Sequence, residues 1–236
     1  MMEIRVLNSG SDGNGYAIIL SEKILLIECG VPSKVMLKHI DFRISDVEGC
    51  IISHGHKDHL GHANEYKKYG FRMYMTEESM PENAPKYMFE TIKRMKKNRI
   101  GGFRIIPFKV PHNETECDGF VIQHPEIGTL VFITDAEMCP YNLSGINVNH
   151  LMIECNYSNK YLEIDSENRS HVLLGHMEFE TCKRFIRSIN SDKLQSIGLI
   201  HLSKKNIDPD EIFAEISEEF SDKKVWIADR GTRVKL

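Results

Sequence analysis

The chain of 236 residues reads as an α/β fold in which two β-sheets carry helices on their outer sides. Three observations predict it. Short apolar runs with strand character follow one another up to about residue 155. After residue 170 the texture changes to alternating helices and strands. No repeat, low-complexity tract or linker interrupts the chain, so residues 1–236 read as a single domain.

The elements follow in order. "EIRVL", "YAIIL" and "KILLIE" are short β-rich runs, and "NSGSDGNG" between the first two is turn chemistry. "SKVMLKHI" predicts a short helix, "GCIIS" a buried strand, "HANEYKKYG" a short helix ended by Gly70, and "FRMYMT" a strand. Residues 82–100 predict the longest helix, with an apolar stripe at Met88, Ile92 and Met95. "FRIIPFKV", "FVIQH", "TLVFIT" and "LMIEC" read as strands. "FETCKRFIRSI" is helical, "QSIGLIHL" a strand and "KVWIAD" a last strand. In "DPDEIFAEISEEF", Asp208 is the expected N-cap, Pro209 the first helical residue and Glu211 the closing member of a capping box.

Composition excludes several classes. Hydrophobic residues make up 41% and charged residues 27%, a globular balance. No apolar run approaches the roughly 18 residues of a membrane span, so no membrane role is expected. "MMEIRVLNSG" lacks the basic and apolar regions of a signal peptide, which makes the cytoplasm the expected location. Six scattered cysteines without a CxxC pair read as reduced and mostly buried. A net charge of −4 makes any nucleic-acid contact depend on local basic patches. The candidate patch is Lys86, Lys93, Arg94, Lys96, Lys97 and Arg99 on the expected helix, for which a solvated face is the favoured reading.

The stretch "SHGHKDHLGH", residues 53–62, concentrates four histidines and an aspartate where a buried strand has just ended. Loops at strand ends let side chains converge without filling the core. His54 and His56 can project to one side, while Asp58 and His59, after the chain turns, can serve a second ion. Imidazole and carboxylate donors without thiolate suit zinc, manganese or iron. His62 lies outside the pattern and reads as a helix-surface residue.

This His-x-His-x-Asp-His pattern resembles the second motif of the metallo-β-lactamase fold, which implies an αββα four-layer sandwich. The resemblance demands a later histidine, aspartate and histidine, each after a strand. "FKVPHNE" supplies His112, "LVFITDAE" Asp135 and "IGLIHLS" His201. It implies that His54, His56 and His112 hold one divalent metal, that Asp58, His59 and His201 hold another, and that Asp135 bridges the two. Two ions about 3.5–4 Å apart can share a hydroxide and clamp a phosphoryl oxygen. Zinc and manganese are the expected ions, and no cysteine occupies a ligand position.

Within the fold, "SGSDGN", "LMIECNY", "GHMEFETCKRFI" and "LIHLSKKN" resemble the YycJ/WalJ-like exonuclease branch, related to RNase J-type nucleases. That resemblance implies a 5′-to-3′ exonuclease on DNA, with RNA as a further substrate. It makes Asp58 and His176 the expected catalytic residues, His176 as proton donor to the leaving oxygen. Ser9, Ser11 and Asn14 are candidate phosphate contacts of a backbone nest, with a tight turn as the plainer reading. Asn156 and Ser203, in the branch segments, complete the expected substrate contacts. The branch has an aspartate where this chain has Glu28, and Leu-Ser-Asn where it has Met177, Glu178 and Phe179. Residues 158–172 read as a shortened substrate element. The alternatives are a phosphodiesterase of cyclic nucleotides or another small phosphodiester, and a non-catalytic metal-binding regulatory protein. A homodimer is compatible with the sequence but carries no signal in it.

Overall fold

The structure, a computed structural model, describes residues 2–162 and 169–236. The first half carries β1 (Glu3–Asn8), β2 (Gly15–Ile19), β3 (Ile24–Ile27), α1 (Ser33–His39), β4 (Val47–Ile51), α2 (Lys57–Leu60), α3 (Ala63–Lys68), β5 (Met73–Thr76) and β6 (Phe89–Ile92). The second carries β7 (Asn98–Ile100), β8 (Phe103–His112), β9 (Thr115–His124), β10 (Gly128–Ile133), β11 (His150–Glu154), α4 (Arg169–Gly175), α5 (Phe179–Ile189), β12 (Ser196–Ile200), α6 (Pro209–Glu219), β13 (Lys224–Ile227) and β14 (Arg233–Lys235).

Two seven-stranded sheets result, ordered β14-β1-β2-β3-β4-β5-β6 and β13-β12-β11-β10-β9-β8-β7. In each, one half is antiparallel and the other parallel: β3 to β6 in the first, β10 to β13 in the second. The parallel strands are buried on both faces, which explains why "ILLI" and "SIGLI" are continuous apolar runs.

Three apolar layers separate four structural ones. Ile4, Tyr16 and Leu25 of the first sheet meet Phe120, Phe132 and Met152 of the second between the sheets. Tyr16 meets Phe132 edge-on at a centroid distance of 5.4 Å, tying the sheets together. Met36, Leu37 and Tyr66 of α1 and α3 cover the outside of the first sheet. Phe179, Cys182, Ile186, Ile212 and Ile216 of α5 and α6 cover the second. This is the αββα sandwich. Among the described residues no helix is long and apolar enough to cross a membrane.

Three sequence expectations are corrected here. Residues 82–100 form no long helix; Phe89–Ile92 is β6, paired in parallel with β5, and Asn98–Ile100 is β7. Between them Met95 is left-handed (φ 57°), and the Asn98 side chain closes the turn by donating to the Lys93 carbonyl and accepting from its N–H. The stripe spacing was matched at only three positions, and Met95 is exposed. The basic run therefore shares no helix face, and Arg94 is tied to Asp118 at 2.6 Å and Glu116 at 2.9 Å. Asp208 does cap α6, accepting from the N–H groups of Asp210 and Glu211, but the Glu211 carboxylate turns to Lys160 instead of closing a capping box. Part of the 158–172 stretch lies outside the described residues, so its length as a substrate element is not described beyond α4.

Candidate metal centre

The parallel halves of both sheets end at one rim, and the polar residues gather there, as in other α/β sheets whose sites lie outside the carboxyl ends of strands. His54 and His56 follow β4, and α2 carries Asp58 and His59. His112 ends β8, Glu154 ends β11, and His201 follows β12. Asp135 comes two residues after β10. Glu28, Asp135 and His201 are left-handed, at φ 63°, 46° and 53°. That conformation costs a side-chain-bearing residue energy and persists where surrounding structure enforces it. Here it turns three side chains off the strand direction and into the rim.

The seven residues expected as ligands converge into two groups. Around His56 Nδ1 lie His54 Nε2 at 2.9 Å and His112 Nε2 at 3.2 Å, with Asp135 Oδ2 3.5 Å from His54 Nε2. In the second group Asp135 Oδ2 is 2.8 Å and Asp58 Oδ2 3.3 Å from His59 Nε2, and His201 Nε2 is 3.9 Å from Asp58 Oδ2. Asp135 belongs to both.

The donor set fits divalent cations. Three ring nitrogens facing one another cannot all be satisfied by shared protons, whereas one cation satisfies all three. His201 Nε2 is buried with no hydrogen-bond partner among the described residues. Burial holds His54, His56 and His112 below the usual imidazole pKa, so these rings stay neutral, the form that ligates. In the second group burial is outweighed by carboxylates: Asp135 and Glu28 raise His59, and Asp135 and Glu154 push His201 up to about 10. The local field thus demands positive charge.

A further set of atoms, Asp135, Glu154, His176 and His201, lies close by but reads as a hydrogen-bond network. Glu154 Oε1 is 2.7 Å from His176 Nδ1 and 2.8 Å from His201 Nδ1, while Oε2 accepts from the Ala136 N–H at 2.7 Å. One buried carboxylate therefore sets the tautomer and aim of both rings, leaving each Nε2 toward the rim. Burial alone would lower His176; Glu154 outweighs it and holds the imidazole above its usual pKa. Glu154 stood in "LMIECNY" without an assigned role. Its signal was a carboxylate ending a fully buried strand, a position tolerated only with partners.

Other side chains hold the donors in place. Glu28 accepts from the Ser53 N–H at 3.2 Å and lies 3.5 Å from His59 Nδ1. The candidate phosphate loop proves to be a brace. Asn14, fully buried, accepts from Gly10 N–H, and its amide lies 3.2 Å from Asp58 Oδ2 and 3.0 Å from His59 Nε2. Ser9 Oγ accepts from the His201 N–H at 2.8 Å and bonds the Tyr16 hydroxyl. Ser9 and Asn14 thus brace residues expected as ligands, and Ser11 is the member of this loop's expected contacts that lines the crevice over the rim.

That crevice has a volume of about 580 Å³. Asp58, Asp135, His176 and His201 lie in its floor and walls, with Lys204 and Lys205 on one side. Asn156 and Ser203 line it, although the Asn156 amide donates to the His201 carbonyl and Ser203 Oγ accepts from the Asn206 N–H. His171, which carried no sequence pattern, lines it too, its ring 5.5 Å from that of His176. Glu178, in the divergent Met177–Phe179 segment, serves as N-cap of α5.

The tightest backbone packing lies beneath the second group. A Cβ on Gly30 would meet the Asp58 carbonyl oxygen at 1.6 Å and Asn14 N at 2.7 Å. Both obstacles are backbone, so the Asp58–His59 turn must move. We expect Gly30→Ala to lower stability by about 3 kcal/mol or more, read as a fall in Tm. An unchanged Tm would show that the turn yields freely.

Residues 11–82, which span the His-x-His-x-Asp-His motif, match the family model described as "Anti-Pycsar protein Apyc1". Exodeoxyribonuclease WalJ of Streptococcus pneumoniae serotype 2 (strain D39) is 27% identical over 224 residues, covering 85% of this chain and 81% of that one. Exodeoxyribonuclease YycJ of Bacillus anthracis is 26% identical, covering 87% and 84%. The metallo-β-lactamase fold protein YhfI of Bacillus subtilis superposes with a TM-score of 0.75 at 20% identity, covering 98% of each chain. The chain therefore has the metallo-β-lactamase fold, and over most of its length it resembles the WalJ and YycJ exodeoxyribonucleases.

Proposed function

We propose that this chain is a dinuclear metal-dependent phosphodiesterase that removes nucleotides from the 5′ end of DNA. The observation that carries the reading is the sharing of Asp135 between two donor groups at the floor of one crevice, with His176 held beside them by Glu154. The likeness to exodeoxyribonucleases over 85% of the chain supports DNA as the substrate. His54, His56, His112 and Asp135 would hold one ion, and Asp58, His59, His201 and Asp135 the other. Imidazole and carboxylate donors suit zinc or manganese. Bound there, the ions would acidify a water molecule and neutralise charge on the phosphoryl oxygens.

The chain's own residues supply the rest. Glu154 accepts a hydrogen bond from the His176 Nδ1–H and favours the imidazolium, whose Nε2–H is then the proton offered to the crevice. A nucleoside leaving as an alkoxide needs that proton. Asn14 keeps the Asp58 carboxylate turned to His59, and Asn156 fixes the His201 backbone. Ser11, Asn156, Ser203 and the two lysines offer polar and cationic contacts to phosphate from the crevice walls.

The test is a side-by-side hydrolysis assay with Mn²⁺ or Zn²⁺. One arm holds 5′-phosphorylated single-stranded DNA labelled at its 3′ end; the other holds a panel of 3′,5′-cyclic nucleotides. Stepwise shortening of the DNA is the expected result. Opening of cyclic nucleotides with intact DNA would move the chain to the small-substrate class.

A further inference from the structure

A second crevice lies at the opposite end of the second sheet, where β8 begins and β9 ends. It has a volume of about 550 Å³ and is walled by Lys97, Arg99, Arg104, Gln123, His124 and Thr129. The ten-residue strand β8 runs from this crevice to His112, a separation of roughly 30 Å at about 3.4 Å per residue. The two sites are therefore distinct.

Its charge is one-sided. Lys97, Arg99 and Arg104 are exposed, and none forms an ion pair among the described residues. No carboxylate lines the crevice. Two acids stand beside it and both are engaged: Glu126 accepts from the N–H and hydroxyl of Ser21, and Glu48, packed against Gly101, pairs with Lys23. Three like charges around one concavity repel, and a chain with net charge −4 has carboxylates to spare for pairing them. Two of the three are arginines, whose planar forks match phosphate oxygens. Gln123 and Thr129 add neutral hydrogen-bonding groups, and Gly102 lets His124 and Lys23 pack close, since a Cβ there would lie 3.1 Å from His124 Nε2 and from Lys23 Cδ. The volume exceeds that of a lone phosphate and accommodates a nucleotide-sized ligand.

We propose that this crevice is a second anion site, separate from the metal centre, that binds phosphate groups of a nucleotide-sized ligand. The chemistry has two sources: the trailing part of a polynucleotide held at the metal centre, or a free nucleotide. The separation is about nine steps of the roughly 3.4 Å duplex rise, fewer for a more extended single strand, and exceeds the reach of a tetranucleotide.

Two measurements test it on the full chain. After chelation, the protein is titrated with pyrophosphate and with adenosine 5′-monophosphate while amide ¹H–¹⁵N shifts are followed. The amides of Gly102, Gly128 and Thr129 should move, and should stay still in the Arg99→Ala/Arg104→Ala variant at unchanged Tm. In the second measurement KM is compared on a tetranucleotide and on a strand of about 25 nucleotides. If the trailing strand is the source, the double variant raises KM for the long strand about tenfold, leaves the tetranucleotide unaffected, and flattens the salt dependence by about two units of slope. If a free nucleotide is the source, the amide shifts occur and both KM values are unchanged. No shift with either anion, together with unchanged KM values, overturns the proposal. The binding arm needs no turnover, so it stands apart from any failure of the exonuclease reading.

Discussion

Asp135→Ala removes turnover, by roughly 10³-fold or more, and strips metal from both donor groups at once. The reason is geometric. One carboxylate serves both groups, with Oδ2 2.8 Å from His59 Nε2 and 3.5 Å from His54 Nε2. Its Oδ1 also lies 2.8 Å from His201 Nδ1, so its loss takes one of the two carboxylates, with Glu154, that hold a ring of the second group. Asp58→Ala is the control, since Asp58 belongs to that second group alone. Metal per chain, measured on the purified proteins, should fall for both ions in the first variant and for one in the second. A variant at Asp135 that keeps the wild-type metal content would remove the bridging role.

His176→Ala gives the second large effect, a loss of roughly 10²–10³ in turnover on DNA at unchanged metal content. His176 sits outside both ligand groups, and its Nδ1 is committed to Glu154. A proton donor matters only when the leaving oxygen is a poor leaving group. The loss should therefore shrink on a nitrophenyl ester of thymidine 5′-phosphate. Glu154→Gln should share that dependence on the leaving group. It should also weaken metal binding by roughly 10–100-fold, because the same carboxylate aims His201. Loss of metal in His176→Ala would make that residue a ligand or a fold support.

The legible part of this chain is what chemistry writes locally. The two halves of the sandwich show as apolar runs because parallel strands are covered on both faces. The candidate ligands show because imidazoles crowd a loop at a strand end, and because His112 ends a strand while Asp135 and His201 closely follow one. What was not legible depends on long-range packing. Asn14 and Ser9 look like phosphate-loop residues in sequence, yet Asn14 reaches Asp58, 44 positions away, and Ser9 reaches His201, 192 away. The 82–100 stretch carries helix-like spacing, but pairing with β5 draws Phe89–Ile92 into the sheet. Lys97 and Arg99 read as a helix face and instead join Arg104, from the neighbouring strand, around a crevice. Glu28 in place of aspartate keeps its support of the metal loop through the Ser53 N–H, while standing 3.5 Å from His59.

The most direct test of the account is metal reconstitution on a defined substrate. The chain is stripped with chelator, and Mn²⁺ is added back stepwise while 3′-labelled, 5′-phosphorylated single-stranded DNA is followed on a gel. The expected result is inert protein without metal, and shortening from the 5′ end that returns with metal and saturates when both donor groups are filled. Undiminished shortening after chelation, or intact DNA with both groups filled, would contradict it.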